Sequence, residues 1–210
     1  MKSKSNRYVH VPNYFTVDEC EQSKTYGHHP HTQPYGVITF ANQRPTRFQK
    51  TIYRCLKSKG STSLQGPANY LPPPCILSFI ALFNEIHSKT KQMTWKLLKS
   101  TPTCDVQPLH TDDNEMSENN TNKKFNDSSF SIVISLEITA NKAQLVLACG
   151  VQKPHTIRTI NLSQGSFVIF RGDMPHAGGS YDIENIRCFV AIGTNMYGHK
   201  GLDVGLLNKM

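Results

Sequence analysis

Apolar and polar residues alternate along most of the second half of the chain. In FSIVISLEI, residues 130–138, every even-numbered position is apolar, and the odd-numbered positions carry Ser, Val, Ser and Glu. A period of two residues is typical of a strand with one face in a core. Seven further segments have short strand signals: MTWKLL, CDVQPLHTD, AQLVLAC, HTIRTINL, GSFVIF, PHAGGSY and NIRCFVAIGT. Eight short strands separated by turn residues predict a β-sandwich or a β-barrel.

The first half of the chain has a different pattern. CILSFIALFNEIHSKTK, residues 75–91, has apolar residues at helical spacing and follows the loop NYLPPP, so it predicts an amphipathic helix packed on a sheet. The run 44–59 holds six cations and no acid, at spacings that gather most of them on one side of a helix. This face is either solvated or in contact with phosphate groups. The phosphate interpretation names Arg44, Arg47, Lys50 and Arg54.

Composition narrows the class of protein. With 38% hydrophobic and 18% charged residues, the chain is typical of a folded globular protein, and disorder is excluded. Six cysteines without a C-x-x-C pair argue against a zinc ribbon and a disulfide-rich secreted scaffold. The net charge of +8 is compatible with an acidic partner. Without a signal peptide or a long apolar run, we expect an intracellular protein of the cytoplasm or nucleus with no membrane partner.

The strongest candidate for chemistry is QPLHTDD, in which His110 and Asp112 are two residues apart near a strand end. Because strand side chains repeat with a period of two, both point to the same side of a sheet. His176 lies 64 residues after Asp112, in a Gly/Pro-rich turn that follows the strand GSFVIF. Two histidines and one carboxylate form the open triad that suits non-haem iron(II), whereas zinc more often takes a closed shell. Asp113 is a second candidate carboxylate, and the strand phase favours Asp112.

Arg187 stands 11 residues after His176, in the middle of NIRCFVAIGT. An arginine in a strand of a β-core is costly to bury unless it is paired. Its fork of donors matches a carboxylate. Arg187 therefore either pairs with an internal acid, points to solvent, or binds a cosubstrate carboxylate, and the triad favours the last interpretation.

The order H-x-D, H and then R resembles that of the iron(II)/2-oxoglutarate-dependent dioxygenases. The flanks GSFVIFRGDMPHAG and ENIRCFVAIGT resemble the last two core strands of the phytanoyl-CoA-hydroxylase and prolyl-hydroxylase-like branches, and the similarity covers about residues 93–195. The resemblance implies a mainly β fold, a double-stranded β-helix of jelly-roll, cupin-like type with flanking N-terminal helices. Residues 1–92 would form an N-terminal extension and supporting helices, and residues 93–210 the catalytic core, within one structural domain overall.

The resemblance also implies the roles of the site residues. His110, Asp112 and His176 would bind iron(II) as the catalytic centre, Arg187 would bind the distal carboxylate of 2-oxoglutarate, and molecular oxygen would be the other cosubstrate. In the family a Ser or Thr two residues after the arginine often shares this carboxylate, but here that position is Phe189. Candidates for the missing contact are Thr194, Trp95 and Lys96. An acid at position 112 disfavours a halogenase, which needs that coordination site for halide.

A polar segment, DNEMSENNTNKKFNDSS (113–129), begins directly after Asp112 and predicts a long exposed loop that lies over the iron site. We expect this loop to be mobile without substrate. Phe125, its only aromatic residue, and Asp113 are the candidates for substrate contact. The alternative is an insert without a function.

Together these features predict a dioxygenase that hydroxylates or oxidatively demethylates a C–H bond. A nucleic acid base is the first substrate hypothesis because of the net charge and the basic run, followed by a polypeptide side chain and a small metabolite. Two other classes stay open. One is a cupin-type metalloprotein that does not use 2-oxoglutarate, with Arg187 bound to an internal partner, and the other is a non-catalytic jelly-roll binding module.

Overall fold

Antiparallel strand pairing dominates the chain. The computed structural model describes residues 8–27, 36–38, 47–58, 61–65, 74–86, 92–112, 129–137, 143–149 and 156–193. Eleven strands and two helices occur in these ranges. The strands are β1 (Tyr8–Val11), β2 (Gly36–Ile38), β3 (Arg47–Ser58), β4 (Ser61–Gln65), β5 (Gln92–Ser100), β6 (Phe130–Ser135), β7 (Ala143–Cys149), β8 (Thr156–Leu162), β9 (Phe167–Arg171), β10 (His176–Gly178) and β11 (Asn185–Gly193).

Both helices begin at residues that favour a helix start. Before α1 (Val17–Gly27), the backbone N–H of Thr16 donates to the Glu19 carboxylate at 2.8 Å, and the N–H of Glu19 donates to the Thr16 hydroxyl at 3.2 Å. This reciprocal pair is a capping box. α2 (Pro74–Ile86) begins with a proline, whose missing N–H is not needed in the first turn. The position of α2 confirms the helix predicted within residues 75–91.

The strands form two antiparallel sheets. The larger sheet has the order β1-β9-β6-β11-β5-β3-β2, with β4 paired to β3, and the smaller sheet has the order β10-β7-β8. Buried apolar side chains form two clusters. One packs α1 and α2 on the larger sheet and includes Phe79 and Trp95, and the other lies between the sheets and includes Leu147 and Phe170. This arrangement confirms the predicted mainly β, jelly-roll core with flanking helices.

Alternation in the central strands separates the two cores. In β6, Ile132 lies in the helix-side core, whereas Val133 lies between the sheets. In β11, Cys188 lies on the helix side and Phe189 between the sheets. Because side chains two residues apart share a face, Arg187 projects into the space between the sheets with Phe189. The alternation predicted for residues 130–138 is therefore confirmed over β6.

The basic run 44–59 departs from the sequence analysis. Its described part forms β3, and the prediction of a basic helix is wrong. β3 pairs with β2, β4 and β5, and this non-local pairing of a segment that contains Phe48 and Ile52 overrides the helical spacing of its cations. Strand alternation places Arg47 and Lys50 on opposite faces, so these two cations do not share one surface.

Residues 101–112 contain a second departure. The segment was expected to include a strand, but it makes isolated bridges rather than a ladder, including one between Cys104 and Tyr181. Pro102 and Pro108 lack a backbone N–H and interrupt regular pairing.

Residues 1–92 contribute more than supporting helices. β1, β2, β3 and β4 all belong to the larger sheet, so the expectation of a helical extension is wrong in this respect. The division at residue 92 stays a prediction. Among the helices of the described ranges, none is long and apolar enough to cross a membrane.

Candidate metal centre

His110 and His176 face each other across an antiparallel bridge. His110 follows β5 in the irregular segment, and His176 is the first residue of β10. The N–H of His110 donates to the His176 carbonyl at 2.9 Å, and the N–H of His176 donates to the His110 carbonyl at 2.8 Å. In such a hydrogen-bonded pair both side chains lie on the same face. Their ring centroids are 4.5 Å apart.

Asp112 completes the group. Its N–H donates to the carbonyl of Gly172 at 3.1 Å, which fixes the backbone beside the turn after β9. One side-chain ligand atom from each of His110, Asp112 and His176 lies within 4.8 Å of the others. In the described ranges this is the only group of three or more His, Cys, Asp or Glu side chains that could hold a metal ion. The structure therefore brings together the three residues that the sequence analysis selected.

Each imidazole is oriented by a backbone carbonyl two residues before it. His110 Nδ1 is 2.9 Å from the Pro108 carbonyl oxygen, and His176 Nδ1 is 3.0 Å from the Met174 carbonyl oxygen. A carbonyl accepts only, so each Nδ1 carries the hydrogen and donates it. Nε2 is then the unprotonated nitrogen, the form of the ring atom that a metal requires. The Nε2 of His176 is 3.5 Å from Asp112 Oδ2.

Ser131 orients the carboxylate. Its buried hydroxyl, on the inner face of β6, donates to Asp112 Oδ2. The sequence analysis did not select Ser131, although its place on the polar side of FSIVISLEI was the available signal. A carboxylate with one oxygen held in this way has a fixed orientation toward the two imidazoles.

The electrostatics favour a neutral imidazole at His110. Burial, with the positive charge that His176 carries when protonated, lowers the pKa of His110 to about 4, although the nearby Asp112 carboxylate acts in the opposite direction. His110 is therefore neutral at physiological pH, as a metal ligand must be. Two imidazoles and one carboxylate on one face fit iron(II), with coordination positions left open.

Arg187 lies in the same interior and is 4% exposed. Its Nη1 donates to the Ser100 hydroxyl at 2.9 Å and to Asn185 Oδ1 at 3.4 Å. No described acid pairs with it, so the alternatives of an internal acid or of solvent do not hold within the ranges that the structure covers. Ser100, the last residue of β5, was missed in the sequence analysis. Trp95, one of the candidates for the missing contact with the cosubstrate carboxylate, is instead buried in the helix-side core.

Comparisons with known proteins bear on this geometry. No family model matches the sequence, and no curated protein matches it either. Several solved structures are similar to this chain over most of its length. A 2OG-Fe(II) oxygenase family protein from Burkholderia pseudomallei is 12% identical, with a TM-score of 0.60, and the match covers 90% of this chain and 86% of that one. The chain has the fold of the 2-oxoglutarate/iron(II) oxygenases.

Two further structures share this oxygenase fold. The prolyl hydroxylase of Trichoplax adhaerens, solved with a hypoxia inducible factor peptide, is 9% identical, with a TM-score of 0.60 and coverage of 90% and 84%. The epimerase SnoN from nogalamycin biosynthesis, solved with Fe3+, alpha ketoglutarate and nogalamycin RO, is 9% identical, with a TM-score of 0.56 and coverage of 90% and 79%. At these identities the likeness concerns the fold.

Two of the candidates for phosphate contact are buried in this fold. Arg47 is 3% exposed and Lys50 is 7% exposed, so the hypothesis of surface phosphate contacts is wrong for these two residues. The backbone of Arg54 lies in β3, and its side chain is outside the described part of the structure. The remaining candidates, Arg44, Asp113, Phe125 and Thr194, lie outside the described residues, as does the predicted loop up to residue 128.

Proposed function

We propose that the chain is an iron(II)- and 2-oxoglutarate-dependent dioxygenase that oxidises a C–H bond of a polypeptide side chain or a small molecule. One observation carries the proposal: the His110–Asp112–His176 group shares its interior with a buried Arg187 that has no carboxylate partner among the described residues. An unpaired buried cation is costly, and a ligand carboxylate would offset that cost.

β10 sets the distance between the group of metal ligands and Arg187. His176 begins the strand and Gly178 ends it, so the two lie about 7 Å apart at the usual rise of a strand. A Cβ built on Gly178 would lie 3.2 Å from Nη2 of Arg187. The end carbons of an extended five-carbon dicarboxylate are about 5 Å apart, given C–C bonds of about 1.5 Å. This spacing suits a ligand that meets the metal at one end and Arg187 at the other.

The residues of the chain would each have a distinct task. His110, Asp112 and His176 would hold iron(II), which together with 2-oxoglutarate supplies the oxidising chemistry. Arg187 would hold the distal carboxylate through its fork and so fix the direction of the cosubstrate. Ser131 would keep the Asp112 carboxylate in place. The buried walls would exclude water from the reacting centre.

The alternatives are less well supported. A cupin-type metalloprotein without 2-oxoglutarate would leave Arg187 with an internal partner. Ser100 and Asn185 are such partners, but neither carries the negative charge that would offset a buried cation. A non-catalytic module gives no reason for two imidazoles and a carboxylate to converge. A nucleic acid base stays a prediction that rests mainly on the net charge of +8, because two of its four named phosphate contacts are buried. The peptide and nogalamycin RO in the similar structures support the other two substrate classes.

An anaerobic titration tests the proposal. Iron(II) is added to the protein with and without 2-oxoglutarate, and the visible charge-transfer band that needs both ligands at one centre is recorded. We expect saturation at one iron per chain. We also expect Arg187→Lys to raise the 2-oxoglutarate concentration needed by at least 10-fold, because a point charge does not replace the fork. Iron binding without the band would favour the cupin-type protein, and no iron binding would favour the binding module.

A further inference from the structure

A second buried guanidinium lies beside Arg187. Arg47, on β3, is 3% exposed, and it stands opposite Ser100, which in turn stands opposite Asn185 on β11. The pairing of three strands therefore places Arg47 in the same row as the groups that contact Arg187. Both guanidinium carbons also lie near the ring centroid of Tyr181, at 5.8 Å for Arg47 and 5.3 Å for Arg187.

The two guanidinium groups share one hydroxyl. Nη1 of Arg47 donates to Ser100 Oγ at 3.2 Å, and Nη1 of Arg187 donates to the same oxygen at 2.9 Å. No described carboxylate bonds either group. Burial, with the charge of Arg187, lowers the pKa of Arg47 to about 10. Two adjacent buried cations repel each other, and an anion between them would relieve both the repulsion and the loss of hydration.

Two polar side-chain atoms beside this pair lack a partner within the described ranges. Asn185 Nδ2 and Ser135 Oγ are fully buried and have no hydrogen-bond partner among the described residues. Ser135 stands directly opposite Arg187 on the neighbouring strand, so both project into the interior. Since Ser100 accepts two hydrogen bonds, its own hydrogen remains to be donated. Ser100, Ser135 and Asn185 therefore each have a side-chain donor left for a further acceptor, as an anion would supply.

One terminal nitrogen of each guanidinium group lies near Gly178. A Cβ on this glycine would lie 3.1 Å from Arg47 Nη1 and 3.2 Å from Arg187 Nη2. Nη2 of Arg47 is already fixed by the carbonyls of Asp105 and Gly179, both at 2.6 Å, so Nη1 is the part that is turned toward Arg187. Both cations therefore reach the end of β10, two residues from His176.

We propose that Arg47 and Arg187 together hold the distal carboxylate of the cosubstrate, with Ser100 between them. The proposal rests on the proposed function. It adds Arg47 to the cosubstrate site and a preference for a dicarboxylate. Two fixed cations select a dicarboxylate over a 2-oxo acid with an uncharged end. It also makes β3, from the N-terminal half, part of the cosubstrate site, so residues 93–210 alone would form an incomplete site.

The test compares 2-oxoglutarate with 2-oxopentanoate, which has a methyl group in place of the distal carboxylate. Affinities are read from the anaerobic charge-transfer band in wild type, Arg47→Gln and the control Arg158→Gln. The control removes the same charge from a fully exposed position on β8. We expect Arg47→Gln to weaken 2-oxoglutarate by about 10- to 100-fold, the usual range for a lost charge-assisted hydrogen bond. We expect a change of less than about 3-fold for 2-oxopentanoate and for the control.

Equal losses for the two oxo acids, or no loss, would overturn the paired-arginine site while leaving the proposed function in place. If wild type gives no band with 2-oxoglutarate, the proposed function itself fails.

A second readout needs neither metal nor turnover: glutarate should raise the Tm of the metal-free wild type and not that of Arg47→Gln. If Arg47→Gln does not fold, Arg47→Lys serves instead, because it keeps the charge and loses the fork. It should weaken 2-oxoglutarate more than 2-oxopentanoate, and equal effects would again overturn the proposal.

Discussion

His110 and His176 are matched across an antiparallel bridge, and each directs its Nδ1 to the carbonyl oxygen two residues before it in the chain. The same backbone geometry is thus used twice, and it leaves Nε2 of each ring unprotonated on the same face. Because both tautomers are fixed by main-chain groups, the metal site is organised before any metal binds. This relationship depends on pairing between segments that are 66 residues apart.

The first prediction concerns the three ligands. His110→Ala, Asp112→Ala and His176→Ala should each lower iron(II) affinity by at least about 100-fold, because each removes one of three protein ligands. Cooperative thermal unfolding should persist, since the core comes from the apolar strand faces. Bound iron is measured after anaerobic desalting. His10→Ala, at an exposed position of β1, is the matched control and should bind iron normally. A ligand variant that keeps one iron per chain at wild-type affinity would remove that residue from the site.

The second prediction concerns Ser131. Ser131→Ala leaves the three ligands intact and removes the hydroxyl that holds Asp112 Oδ2. We expect iron affinity to fall by about 10- to 100-fold, the range for groups that orient a metal ligand. Ser163→Ala provides the comparison, because it removes a hydrogen-bonded serine hydroxyl at an exposed position. Equal iron affinities in the two variants would show that Ser131 has no orienting role.

The third prediction uses the titration of His110. Burial lowers its folded-state pKa from 6.5 to about 4, so between pH 6.5 and pH 4 the unfolded chain binds a proton that the folded chain does not. The stability of the metal-free protein is therefore fully present above pH 6.5 and falls as the pH drops toward 4. At about 1.4 kcal/mol per pKa unit, His110 accounts for a loss on the order of 3 kcal/mol.

Urea unfolding of the metal-free protein at pH 7.5 and pH 4.5 measures this loss. His110→Gln cannot titrate, so its free energy of unfolding should change less between the two pH values than that of wild type. The difference between the two proteins isolates His110 from the other titrating groups. Equal changes in wild type and His110→Gln would contradict the shift.

Parts of this site could be predicted from the sequence because they depend on local geometry. His110 and Asp112 are two residues apart, and the period of two expected for this segment placed them on one side, although the segment makes bridges rather than a ladder. The alternation of β6 and the position of Arg187 in a core strand are local in the same sense. Such features need only the direction of successive side chains, not the pairing of strands.

The rest of the site depends on strand pairing, which the sequence does not display. Ser100 is 53 residues from Arg47 and 87 from Arg187, and the register of β3, β5 and β11 is what brings the three together. For the same reason the cations of the run 44–59 were assigned to a helix. Their spacing is local and helical, whereas the pairing with β5 that overrides it is not.

The last prediction concerns Gly178. Its backbone does not have a positive φ, so glycine is not needed there for conformation. A Cβ, however, would lie 2.5 Å from Gln107 Oε1, 3.1 Å from Arg47 Nη1 and 3.2 Å from Arg187 Nη2. All three are ends of side chains that can shift, so Gly178→Ala should fold with a Tm within about 5 °C of wild type, as for a cost near 1 kcal/mol. The displaced guanidinium groups should lower 2-oxoglutarate affinity by at least about 10-fold.

Gly36→Ala is the matched control, because its Cβ would make only an ordinary contact at 3.6 Å with the carbonyl of Gln49. The two variants add the same methyl group, one at the end of β10 and the other on β2. Affinity for 2-oxoglutarate from the charge-transfer band and Tm from thermal unfolding separate loss of binding from loss of fold. A Gly178→Ala protein that binds 2-oxoglutarate as tightly as Gly36→Ala would mean that the space beside Gly178 is not where the carboxylate binds. A large fall in Tm would instead mean that the side-chain ends of Gln107, Arg47 and Arg187 cannot move aside, and that the glycine is needed for close packing.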